Sequence, residues 1–67
     1  MTNNEMVNKM IEKINSKIER ANESFKTTGW NQSHALKMER IDGMIDMLAM
    51  ITGKEYVITE NGLVENN

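Results

Sequence analysis

Sixty-seven residues with no cysteine, no proline, seven methionines and a net charge of −2 leave room for one small domain and exclude a disulfide framework. A single histidine is too few for a structural zinc site, and so weak a negative charge argues against a polyanion binder or a nucleic-acid mimic. With disulfides and zinc set aside, a chain this short is expected to draw further stability from self-association.

The chain opens with Thr2 and Glu5 at capping-box spacing, hydroxyl and carboxylate each able to satisfy free amides at a helix start. Val7, Ile11, Ile14, Ile18, Ala21 and Phe25 then recur by four and three, the period of one helix face. A first helix is predicted from about Asn3 to Thr28 with this seam toward the core. Lys9, Glu12, Lys13, Glu19, Arg20 and Glu23 form a mixed-sign solvent face. Asn8, Asn15 and Asn22 repeat every seven residues beside the seam; they read as a polar flank, with a hydrogen-bonding ladder as the alternative. Gly29 suits the left-handed position just past a helix end.

Trp30 is the only tryptophan. It is expected to fold back over the end of the helical hairpin; the competing reading makes it an exposed contact anchor with Lys26, His34 and Lys37 around it. Asn31 is a suitable N-cap for a second helix running to Thr52, with Gly53 as its C-cap and Lys54 near its negative end. The short connection between the helices requires them to be antiparallel. This second helix carries two apolar seams. His34, Met38, Ile41, Ile45, Leu48 and Thr52 form one, and Leu36, Arg40, Gly43, Met47 and Met50 form the other. At about 100° per residue the two lie roughly 150° apart. A lone hairpin covers only the first, so Leu36, Arg40, Gly43, Met47 and Met50 are expected to line an oligomer interface. Gly43 would mark the closest approach there, and Arg40 would either snorkel to water or bond a carboxylate or anion across the contact.

After Gly53 the period changes. Tyr56, Val57, Ile58 and Thr59 favour a strand, and Asn61-Gly62 is a strong signal for a type I′ turn, with positive φ at both residues. Leu63-Val64 could pair back, giving an extended or hairpin tail over about 55–65.

No catalytic constellation is visible. His34 is a lone histidine expected to be half-buried at the end of the core. Glu39, Asp42 and Asp46 share one stripe and read as a solvated face, since nothing else supports a cation site. No catalytic, metal or cofactor residue is assigned. No basic run precedes an apolar stretch at the start, and Met44–Ile51, the most apolar stretch, is too short for a bilayer and contains Asp46; a cytoplasmic location is expected.

The pair Ile41-Asp42 resembles the end of the Ser-Gln-Glu-Leu-Asp signature of the sporulation phosphorelay aspartyl phosphatases. Here the run is Met38-Glu39-Arg40-Ile41-Asp42, without the serine and glutamine, so no phosphatase activity or site residue is carried over. The capped hairpin with its Thr52-Gly53-Lys54-Glu55-Tyr56 tail is similar to short phage or prophage early proteins. The expected fold is mainly α: one domain over 1–67, an antiparallel two-helix hairpin with a C-terminal β-hairpin, assembled as a dimeric four-helix bundle. The expected function is non-enzymatic, a homo-oligomer that binds and modulates a host or phage protein. The alternative is capture of an anionic nucleotide-like ligand between subunits, with Trp30 stacking a base and Arg40, Lys37 or His34 meeting phosphate. Nucleic-acid binding is not expected, because the lysines of helix 1 alternate with glutamates.

Overall fold

The computed structural model describes residues 3–66. Four elements follow in order: α1 (Asn3–Thr28), α2 (Gln32–Thr52), β1 (Tyr56–Thr59) and β2 (Gly62–Glu65). Together they form an elongated body of 39 × 18 × 18 Å. The Thr2 half of the expected capping box lies outside the described residues, whereas Glu5 stands in the first turn of α1, where a carboxylate complements the helix dipole.

Three helix ends are closed by the residues expected there. Gly29, at φ 71°, donates its amide to Phe25 O at 2.8 Å. Asn31 is extended and accepts the His34 amide on its side chain at 2.9 Å. Gly53 repeats the Gly29 geometry, donating to Ala49 O at 2.8 Å. Gly43 leaves α2 unbroken.

The core joins three elements. Ile14, Ile18 and Ala21 of α1 meet Ile41 and Leu48 of α2, and Leu63 of β2 completes the cluster. Val7, Met10, Ile11, Met38, Met44, Ile45 and Tyr56 pack around it, partly buried. Phe25 departs from the expected seam, because it is 48% exposed. It lies at the loop end of the hairpin, where no further turn of either helix covers it, and its ring rests 5.0 Å from the His34 ring at 49°.

The tail is an antiparallel hairpin with Tyr56 opposite Glu65, Val57 opposite Val64, Ile58 opposite Leu63 and Thr59 opposite Gly62. Its turn differs from the expected one. Glu60 and Asn61 form it, and positive φ occurs at Gly62 (104°) but not at Asn61. The Thr59 hydroxyl organises this turn by donating to Gly62 O at 2.8 Å and accepting from Asn61 N at 3.2 Å. With that side chain bridging the turn, a second left-handed residue is not required. Across the open end, Asn66 N donates to Glu55 O at 2.8 Å.

A two-stranded hairpin alone is marginal, and this one is held against α1. Leu63 inserts into the core while its amide donates to Asn15 Oδ1 at 2.8 Å. The asparagine column is therefore more than a polar flank: its middle member binds the tail backbone. Asn8 and Asn22 stay exposed on either side of it, Asn8 near Tyr56 and Leu63, Asn22 near Glu60 and Asn61.

Candidate functional site

The outer face of α2 is left bare by this packing. Leu36 is 53% exposed, Met47 59% and Met50 85%. Between them Gly43 is open, so that a Cβ added there would meet nothing within 4 Å. Arg40 is exposed on the same face. All five expected interface residues thus share one uncovered surface of the chain. Along one edge of this stripe run Glu39, Asp42 and Asp46, all exposed; along the other run Lys37, Arg40, Met44 and Ile51, at the helix phase of about 100° per residue.

Trp30 is 68% exposed and does not fold back. Gly29 turns the chain sharply and Asn31 is committed to the α2 cap, which directs the intervening side chain outward. The residues expected to surround it are divided. Lys26 lies by the tail turn, in a groove shared with Asn22, Glu60 and Asn61. Lys37 lies on the opposite side of the helical hairpin. His34 is half-buried against Phe25, and its Nδ1 is buried without a hydrogen-bond partner among the described residues.

Lys37 belongs instead, with Arg40, to a groove within one chain whose α1 wall, Lys17 and Arg20, the sequence did not reveal. The groove between α1 and α2 on the side away from the β-hairpin holds about 230 Å³ and is lined by Lys17, Arg20, Lys37, Arg40 and Ile41. Half of the eight lysines and arginines of this acidic chain therefore wall one groove. The ion pair found among the described residues is elsewhere, Lys54 Nζ to Glu65 Oε1 at 3.0 Å. That contact also corrects the expectation for Lys54, whose ammonium turns to the β2 carboxylate rather than to the α2 terminus. Its hydrogen bond and attraction to Glu65 raise its pKa above the ordinary 10.5.

Among the described residues, no three His, Cys, Asp or Glu side chains converge into a metal-binding group. No helix of the described residues is long and apolar enough to cross a membrane. Comparison with protein-family models, curated proteins and solved structures finds no match to this chain.

Proposed function

We propose that the chain is a non-enzymatic interaction protein that pairs with a second copy of itself along the outer face of α2, giving a four-helix arrangement with α2 inside and α1 outside. The observation that carries this reading is the uncovered stripe of Leu36, Met47 and Met50 around the open Gly43. Burial of such apolar area is the main driving force for association, and a glycine at the centre lets two helix backbones approach closely. The core itself is small, which makes extra burial valuable to a chain of this size.

The charged edges of the stripe favour one pairing. If the two α2 helices run parallel about a dyad along their length, the Lys37 and Arg40 edge of each copy faces the Glu39, Asp42 and Asp46 edge of the other. An antiparallel pairing sets acidic edge against acidic edge, which like-charge repulsion opposes. The exposed pair Trp30 and Phe25 lies apart at the loop end and is the proposed contact for an unlike protein whose activity the chain modulates; exposed tryptophan is the residue type most enriched at such hot spots.

Sedimentation across protein concentration tests the self-association. Wild type should reach dimer at high micromolar concentration, and Gly43→Leu should shift it toward monomer by overpacking the crossing. A wild type that remains monomeric throughout overturns the reading.

A further inference from the structure

We propose that the groove between α1 and α2, walled by Lys17, Arg20, Lys37 and Arg40, is a binding site for a small oligophosphate. The two grooves of the helical hairpin differ. One is filled by the tail, with Leu63 in the core and Asn15 bound to its amide. The other is open, and both of its walls are cationic. Placing like charges on facing walls opposes the closure of α1 on α2, so the arrangement asks for a counter-charge.

Among the described residues, a single copy does not supply one. None of the four cations makes an ion pair among the described residues. Glu39, Asp42 and Asp46 occupy the far edge of α2. Glu19 and Glu23 flank Arg20 only on its outer side, across a separate shallow surface with Ser16. A cleft lined by one sign of charge over an apolar floor concentrates field and attracts the opposite ion. The floor here is Ile41, 1% exposed.

The donor set selects phosphate. Two guanidinium forks and two ammonium groups match the oxygens of linked phosphoryl groups, arginine bidentately and lysine as a point charge. The volume of about 230 Å³ falls below the roughly 300–1,000 Å³ of pockets that enclose drug-sized ligands, and suits a short phosphate chain. No aromatic side chain lines the groove, so a base or other group attached to the phosphates would remain outside in solvent. Trp30 has no part in it.

Lys17 and Arg20 lie on α1, off the exposed apolar stripe of α2, whereas Lys37 and Arg40 border both groove and stripe. The groove is therefore complete within one copy and is tested at concentrations where that copy is monomeric. Inorganic triphosphate is the probe, titrated by calorimetry or by amide chemical shifts at low salt and again near 0.15 M, where screening weakens such binding. Wild type should bind. Lys17→Gln and Arg20→Gln should each weaken binding about tenfold or more, the scale for a charged hydrogen-bond partner. Lys9→Gln makes the same charge change on the exposed side of α1 and should leave affinity within about twofold.

Absence of triphosphate binding at millimolar concentration and low salt overturns the proposal. Equal weakening by all three variants does so too, as does binding of duplex DNA without binding of triphosphate. Sedimentation of the same samples separates the two readings: a monomeric wild type that binds triphosphate removes only the α2 pairing, and a wild type that dimerises on concentration yet is indifferent to triphosphate while still monomeric removes only the groove.

Discussion

Asn15 Oδ1 accepts the Leu63 amide at 2.8 Å across 48 residues of sequence, and the same side chain limits what can stand at Gly62. A Cβ on Gly62 would lie 2.8 Å from Asn15 Oδ1, at a residue already at φ 104°. One asparagine thus fixes where the tail meets α1 and requires the smallest residue beside it. Asn15→Ala should cost about 1–3 kcal/mol, because it leaves a partly buried amide without its acceptor. Hydrogen exchange at Leu63 should accelerate while the α1–α2 amides change less. Asn15→Asp keeps an acceptor and should retain most of the protection. Gly62→Ala should also destabilise, but less in the Asn15→Ala background, where the steric part of its cost is gone. Strict additivity of the two changes would contradict the contact.

The core makes a graded prediction. Ile14 and Leu48 are fully buried, Ile45 is half-buried and Phe25 is half exposed. Ile14→Ala and Leu48→Ala should each cost about 2–5 kcal/mol in urea unfolding, comparable with the whole stability of a small domain. Ile45→Ala should cost less. Phe25→Ala should fall well short of the ~3–5 kcal/mol typical of a buried phenylalanine. A Phe25→Ala loss as large as that of Ile14→Ala would place the ring back in the core.

The Lys54–Glu65 pair closes the open end of the tail, and its titration has a definite sign. The Lys54 pKa is raised in the folded state by its hydrogen bond and attraction to Glu65. The stabilisation is therefore complete below 10.5 and is lost as pH rises through the elevated folded value. Because the pair is exposed, its effect on overall stability is small. NMR titration of the Lys54 Cε signal should give a midpoint above 10.5, and Glu65→Gln should return it toward that value. An unchanged midpoint in Glu65→Gln would assign the shift to another cause.

Local signals made the helices legible. Gly29, Asn31 and Gly53 each act through backbone groups within four residues, and the four-and-three spacing of Ile11, Ile14 and Ile18 is visible without a structure. What lay beyond reach was relational. Nothing in the run from Tyr56 to Glu65 states that Leu63 belongs to the α1–α2 core, because strand period specifies a face but not what the face covers. Asn15 looked like its neighbours Asn8 and Asn22 until the tail was placed. The basic groove is the same kind of case. Lys17 and Arg20 stand among glutamates in sequence, and Lys37 and Arg40 precede acidic residues; only the rotation of each helix about its core seam brings the four onto facing walls. A capping glycine commonly precedes a folded-back apolar residue, but at Trp30 the Asn31 cap follows at once and the side chain stands exposed.

Gly43 offers the sharpest test of the pairing, because one substitution acts with opposite signs on monomer and dimer. Within the single chain, a Cβ at this position meets nothing within 4 Å, and alanine is favoured over glycine in a helix interior by about 1 kcal/mol. Gly43→Ala should therefore raise the melting temperature at low protein concentration, where mass action favours the monomer. At a close α2–α2 crossing the same methyl group holds the two backbones apart and strips contacts from Leu36, Met47 and Met50. The variant should then gain less from rising concentration than the wild type does, since association stabilises by mass action only as far as the interface is intact. Melting curves for both proteins across about a hundredfold range of concentration should converge or cross. If Gly43→Ala stays ahead by the same margin at every concentration, the contact between copies does not pass through Gly43.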